Sequence, residues 1–359
     1  MKKCNMAIIG LSHIHVTNLV HDFMRYTDRV EIIGMADVPP FSEKELQEKI
    51  ERNVPKDVEI PFYRNYKELL DLKPDIALIC TDVKDHAAIA EEILGQNIVT
   101  IVEKPMALEM KDAKRMYRAS QRSRAELIIN WPIAWFPTFS MVKHLVEKGD
   151  VGKVLRVHYR SPSTRGPYPL NAYSPEELSK MWWYQHERGG GSICDYAGYG
   201  CVLATWLTGS VAKRVSGFKK NFFLPFSDVE DYSVFTIDFG DSVGLIEGSW
   251  STMSNGEIPT GPVVYGEKGV IVADRYSQEV KLYRELAPYV ASPHPDEVFA
   301  VEASDLGLAW NVLEFLQNDK PLNEMVTVAF NMKAMAAFDA GRRSCETGAV
   351  EWTEDPFQY

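Results

Sequence analysis

The sequence is poor in cysteine, in long apolar runs, in positive charge, and in the glycines that usually mark a nucleotide-binding turn. Each shortage excludes something. The 5 cysteines (Cys4, Cys80, Cys194, Cys201 and Cys345) are odd in number and scattered over 359 residues. They make no close pair of the kind that zinc and redox motifs need. Thiols used this way suit a reducing compartment, so a soluble, cytoplasmic protein is expected. No apolar run approaches the ~18 residues of a membrane span. The stretch from Met6 to Ile9 ends at Gly10 and Ser12-His13 without a small-residue cleavage site, so it reads as a buried first strand rather than a signal peptide. Lys and Arg total 39 against 50 Asp and Glu, a net charge of −11. A chain that acidic lacks the basic field that phosphate-backbone binding needs, which argues against nucleic acid and anionic membranes as main partners. No repeat and no low-complexity tract interrupts it. His86 and His158 have no ligand spacing around them, and no metal is expected.

What is present is ordinary globular material, 45% hydrophobic and 25% charged, in a chain long enough for two domains. Residues 1–125 alternate short apolar runs with amphipathic stretches. Strands are predicted at 6–9, 30–36, 75–80 and 98–102, with helices at 15–26, 43–52, 84–94 and 107–122. That alternation predicts an α/β domain with a parallel, doubly wound sheet, whose ligands bind outside the carboxyl ends of the strands. From Lys153 onward the apolar residues alternate more strictly, and two such segments straddle Gly240-Asp241. Residues 126–359 are therefore expected to form an α+β domain with an open, mainly antiparallel sheet. Residues 161–187 have little periodicity and read as a long loop or lid.

Three clusters carry candidate chemistry. The first is the turn Gly10-Leu11-Ser12-His13-Ile14-His15, which follows a strand and opens a helix. Of the three glycines of a dinucleotide-binding turn only Gly10 is kept, with Ser12 and His15 in the other two places. An ordinary βα turn explains these letters equally well. Asp37, at the end of the second strand, shifts the balance, because a carboxylate there accepts both hydroxyls of an adenosine ribose and repels a 2′-phosphate. NAD is therefore expected over NADP. The second cluster is Glu103-Lys104-Pro105, which puts a lysine at the carboxyl edge of the sheet as a usable proton carrier; a surface Lys paired to Glu103 is the plainer alternative. The third is Gly189-Gly190-Gly191 leading to Asp195 and Tyr199, four apart on one helix face and suited to orienting a substrate hydroxyl. A helix-start Asp and a core Tyr would look the same. His158, Arg160, Trp183 and His186 add aromatic faces and polar donors of the kind that hold a sugar ring.

Taken in order, the Gly10 turn, Glu103-Lys104-Pro105 and the triple glycine before Asp195 resemble the Gfo/Idh/MocA family of nicotinamide-dependent oxidoreductases. The resemblance extends through Thr81 and His86, Gly149-Asp150-Val151-Gly152-Lys153 and the late helix before Gly348. It implies an N-terminal Rossmann domain and a C-terminal domain for substrate binding and oligomerisation, as a homodimer or homotetramer. It implies cofactor contacts from Gly10, Ser12, His13, Ile14, Asp37, Thr81, His86, Glu103 and Lys104. Lys104 would be the catalytic proton carrier, alone or paired with Tyr199, and Asp195, also in the catalytic set, would hold the substrate or the lysine. The family usually carries His where this chain has Tyr199. The expected activity is NAD-dependent oxidation of a secondary hydroxyl of a sugar, glycoside or cyclitol, or the reverse. The alternatives are an enzyme that recycles NAD through transient oxidation to cleave or epimerise its substrate, and a non-catalytic sugar- or NAD-sensing regulator.

Overall fold

The computed structural model describes residues 3–38, 41–161, 166–168, 172–251, 259–274, 278–304 and 306–358. The chain divides into two compact units, Met1–Trp131 with Leu306–Asn331, and Pro132–Asp305 with Met332–Tyr359.

The first unit is built on a six-stranded sheet in the order β3-β2-β1-β4-β5-β6. Its strands are β1 (Cys4–Ile9), β2 (Val30–Ala36), β3 (Phe62–Tyr63), β4 (Ile76–Ile79), β5 (Val99–Glu103) and β6 (Leu127–Asn130), all paired in parallel. Successive residues of β4 and β5 are buried, which in a strand means that both faces are covered. The connecting helices are α1 (Val16–Met24), α2 (Glu43–Asn53), α3 (Tyr66–Asp71), α4 (His86–Leu94) and α5 (Met110–Arg122). At the start of α2, the Ser42 hydroxyl accepts from the Glu45 amide and the Glu45 carboxylate accepts from the Ser42 amide. At its end, Asn53 donates to the Leu11 carbonyl at 2.7 Å and accepts from the Thr17 hydroxyl at 2.6 Å, which ties α2 to the turn after β1.

The unit boundary lies at 131/132 rather than at 125/126, and Leu306–Asn331 belongs to the first unit. Polar anchors explain the return of this segment. The Asp22 carboxylate accepts the Ala309 amide at 2.9 Å, Arg29 pairs with Glu314 at 3.0 Å and donates to Gln317 at 2.7 Å. The Trp131 indole donates to Asn331 at 2.6 Å, while the Asn331 amide donates to the carbonyls of Met325 and Thr327.

The second unit contains α6 (Pro137–Lys148), β7 (Val154–Arg160), α7 (Pro175–Ser179), α8 (Gly198–Thr208), β8 (Arg214–Lys220), β9 (Tyr232–Asp238), β10 (Val243–Ser249), β11 (Val263–Gly266), β12 (Gly269–Ala273), β13 (Glu279–Ala287), β14 (Val290–Ala291) and β15 (Glu297–Ala300). After the returning segment, whose helix Leu308–Asn318 is α9, come α10 (Val328–Thr347) and β16 (Glu351–Trp352). The sheet runs β14-β13-β12-β11-β7-β10-β9-β8-β16, with β15 on β13. Only the β7–β10 pair is parallel among the described pairings. One face is packed: Tyr159 and Ile246 meet α8 at Gly200, and Phe235 meets α10 at Gly341. The alternate residues, among them Arg156, His158, Arg160, Val243 and Leu245, occupy the opposite face and are half-buried or exposed. Of residues 161–187, expected as a loop or lid, 162–165 and 169–171 lie outside the described residues; the remainder includes α7 and the turn Trp182–Tyr184.

Replacing Asn331 with Ala leaves the Trp131 indole N–H and the Met325 carbonyl without their buried partner, while the Thr327 carbonyl keeps the amide of residue 331. The expected cost is about 1–3 kcal/mol of stability, read as a lower midpoint in thermal or urea unfolding. A midpoint within error of wild type would contradict this role for Asn331.

Candidate active site

In the first unit the polar residues gather at the carboxyl ends of the strands. Gly10 has φ +89, and a Cβ there would lie 2.4 Å from the Thr81 methyl and 2.6 Å from the Thr81 amide nitrogen. Both the backbone conformation and the closeness of the end of β4 demand glycine. Beyond it the turn is laced to its neighbours. Ser12 and His13 donate backbone N–H groups to the Cys80 carbonyl at 3.1 and 3.2 Å, and Leu11 donates its own to Asp37 Oδ1 at 3.2 Å. Ser12, His13, Asp37, Thr81 and His86 are all buried, and Ile14 is half-buried.

Glu103, at the end of β5, is fully buried. One oxygen accepts Asn130 Nδ2 at 2.6 Å; the other lies 3.1 Å from His15 Nδ1 and accepts the Lys104 amide at 3.2 Å. Burial alone would push this carboxyl up, but the neighbouring His13 and His15 and the hydrogen bonds from His15 and Asn130 hold it well below the usual carboxylate range. His13 goes the other way: burial pushes its imidazole well below the ordinary value, against the pull of Glu103, so it is neutral near pH 7. His15, bulky where a third glycine is usual, is packed by meeting the strand-end carboxylate. Donor atoms of His13, His15 and Glu103 lie within 4.8 Å of one another, hydrogen-bonded as a group. Lys104 follows on a cis peptide to Pro105 and is 1% exposed. His86 Nδ1 lies 3.1 Å from the Pro105 carbonyl, and burial lowers its pKa.

These residues fit a dinucleotide: a small hydroxyl residue in the βα turn, the start of α1, a carboxylate at the end of β2 for the ribose, and a strand-end lysine.

In the second unit the triple glycine is a close-approach device. Gly191 has φ +98, and a Cβ on it would fall 2.4 Å from Glu230 Oε1. That same oxygen accepts the Ile193 amide at 2.8 Å, and the Glu230 carbonyl accepts the Ser192 amide at 3.1 Å. Burial raises the Glu230 carboxyl to about 7, although the Ile193 hydrogen bond, Lys219 and Arg342 draw it down. The glycines lead into a π-helical turn, Ile193–Ala197, which carries Asp195 and runs on into α8. Asp195 accepts the Trp250 indole at 2.8 Å, and Trp250 is itself held through its amide by the Asp231 carbonyl at 2.7 Å. Tyr199 is buried, its ring 5.8 Å from that of Tyr196.

The substrate residues expected from sequence are dispersed. Trp183 is buried, stacked on Trp182 at 4.0 Å, with its carbonyl beneath Gly190 and Gly191, so it supports the glycines rather than offering a face. His158 and Arg160 project from the sheet face opposite α8, where His158 meets Tyr265 and Arg160 lies 3.7 Å from Glu247. The structure therefore does not bring them together with Asp195 and Tyr199. His186 is partly exposed, 3.9 Å from Glu346. Sequence reasoning passed over Asn130, Trp250 and Glu230. Asn130 ends β6, so the rule that strand ends line the site could have found it. Glu230, in a connection, carries no comparable signal.

Residues 4–130 match the oxidoreductase family with an NAD-binding Rossmann fold, and residues 139–272 match the GFO/IDH/MocA C-terminal domain. The Bacillus subtilis protein YteT is 22% identical over 218 residues, 60% of this chain and 48% of that one. Inositol 2-dehydrogenase of Salmonella typhimurium is 24% identical over 138 residues, 36% of this chain and 41% of that one. The chain thus spans about half or less of these curated relatives. The WlbA dehydrogenase of Bordetella pertussis, solved with NADH and UDP-GlcNAcA, superposes with a TM-score of 0.75 over 99% of this chain and 100% of that one, at 21% identity. At that identity the likeness is one of fold. Among the described residues no helix is long and apolar enough to cross a membrane.

Glu230 gives a pH signature. Its folded carboxyl binds protons up to about 7, from an ordinary value of 4.5, so the stability it contributes is complete below about 4.5 and falls as pH rises through 7. The stability difference between Glu230→Gln and wild type should grow in the variant's favour by up to about 3 kcal/mol between pH 5 and 8. Parallel stability–pH curves for the two proteins would rule this out.

Proposed function

The chain belongs to the GFO/IDH/MocA oxidoreductase family, and on that footing we propose that it oxidises a secondary hydroxyl of a sugar, glycoside or cyclitol to a ketone, or runs the reverse, with NAD. The reading is supported by named dehydrogenases among the relatives, which act on inositol and on apiose. The observation that carries it is the surroundings of Lys104. A lysine buried just after β5, beside a carboxylate hydrogen-bonded by Asn130 and His15, sets a titratable group at the strand ends where a parallel sheet binds its ligands.

In this reading Lys104 takes the hydroxyl proton as the carbon is oxidised, and returns it in the reverse direction. Bound NAD supplies the hydride acceptor. Asp37 accepts the ribose hydroxyls, and Gly10 and Ser12 let the turn approach the diphosphate. Glu103 positions Lys104 by gripping its amide and fixing the strand end. Asp195 takes a substrate hydroxyl, its carboxylate aimed by the Trp250 indole, and Tyr199 is the second group that shapes that contact. The second unit is the substrate-binding part. Its exposed sheet face, with Val243, Leu245, Phe218 and Trp352, supports self-association as a dimer or tetramer.

Lys104→Ala should lower kcat by about 10²–10⁴-fold on a sugar or cyclitol that wild type oxidises, while NADH affinity, read by fluorescence titration, changes by less than about fivefold. Turnover equal to wild type would remove Lys104 from the proton path. A screen of sugars, glycosides and cyclitols followed by NADH absorbance identifies the substrate. If no hydroxyl compound reduces NAD, the oxidoreductase reading fails.

A further inference from the structure

A carboxylate at the end of the second strand selects against a 2′-phosphate by charge repulsion, an argument that assumes a bare carboxylate. Asp37 is not bare. Its Oδ2 lies 2.6 Å from Lys49 Nζ, and its Oδ1 already accepts the Leu11 amide. Within the pair Lys49 is the more exposed member, with 20% of its side chain exposed against 2% for Asp37, so the carboxylate is covered and the lysine is the member that solvent reaches.

The position of Lys49 is fixed by α2. Lys49 and Asn53 are four residues apart and share a helix face. Asn53 presents that face to the βα turn, through its bond to the Leu11 carbonyl, and the Ser42–Glu45 cap holds the other end. The acids of α2 are engaged elsewhere: Glu43 with Arg64, Glu45 in the cap, Glu48 with Lys44 and Glu51 with Gln47. Lys49 is thus directed at Asp37 and not at its helical neighbours.

We propose that Lys49 is a specificity-determining residue, which cancels the repulsion from Asp37 and gives a 2′-phosphorylated dinucleotide a cation to bind, so that the site takes NADP(H) as well as NAD(H). An ammonium has three donors, and Asp37 uses one. With NAD the carboxylate receives the ribose hydroxyls on lone pairs that Leu11 and Lys49 leave. With NADP the lysine keeps its bond to the carboxylate and gives a second N–H to the phosphate, so that one ammonium bridges the two anions. The inference rests on the reading that Asp37 faces the adenosine ribose.

The test uses the whole protein without substrate, titrating NADH and NADPH by nicotinamide fluorescence in wild type, Lys49→Gln and Lys49→Arg, with circular dichroism to verify folding. Wild type should bind NADPH within about a hundredfold of NADH. Lys49→Gln should weaken NADPH by about tenfold or more, the value of one charge-assisted hydrogen bond, and move NADH by less than about threefold. Lys49→Arg should keep the wild-type ratio. An NADPH-to-NADH ratio unchanged in Lys49→Gln overturns the role of Lys49 while leaving the oxidoreductase reading in place. Wild type that binds NADH and shows no NADPH binding at millimolar concentration overturns it equally. If neither nucleotide binds to wild type, the ribose reading of Asp37 falls and the proposal falls with it.

Discussion

A carboxylate sealed from water organises the carboxyl end of the parallel sheet. Glu103 sits where an uncompensated charge would cost several kcal/mol, and the fold offsets that cost with donors from three directions. Asn130 comes from the next strand, His15 from the turn after β1, and the Lys104 amide from the residue that follows. Each of those donors is in turn placed by the carboxylate. The consequence is a strand end that cannot relax piecemeal: moving the lysine moves the acid, and moving the acid unpairs an amide and an imidazole. Precision at Lys104 is therefore a by-product of satisfying a buried charge.

The second unit solves a similar problem with different parts. Asp195 sits in a π-helical turn, and the segment at Glu230 and Asp231 grips that turn twice. Glu230 binds the amides at its start, and the Asp231 carbonyl holds Trp250, whose indole fixes the Asp195 carboxylate. The glycines matter because Glu230 occupies the space that a side chain at Gly191 would need.

What could be read from sequence follows the range of the interactions involved. The strands and helices of the first unit were legible because apolar periodicity is local, and Gly10, Asp37 and Lys104 because strand ends in a parallel sheet have a known use. His15 was legible only as a departure from a glycine pattern; its partner, Glu103, is 88 residues away, and no spacing rule reaches that far. Separations of 37 and 55 residues from their partners likewise hid Glu230 and Trp250. His158 and Arg160 show the reverse limit. Alternation correctly put them on one face of a strand, but which face carries the helices is decided by tertiary packing.

The return of Leu306–Asn331 to the first unit has a consequence for how the chain is made. During synthesis β1 to β6 emerge early, yet Trp131, Arg29 and Asp22 must wait for partners made some two hundred or more residues later. The nucleotide-binding half is thus completed only when Leu306–Asn331 has left the ribosome, after most of the other unit has appeared. Until then the unit that starts first waits for its closing segment, and a nascent chain released early would carry a dinucleotide fold with α9 missing.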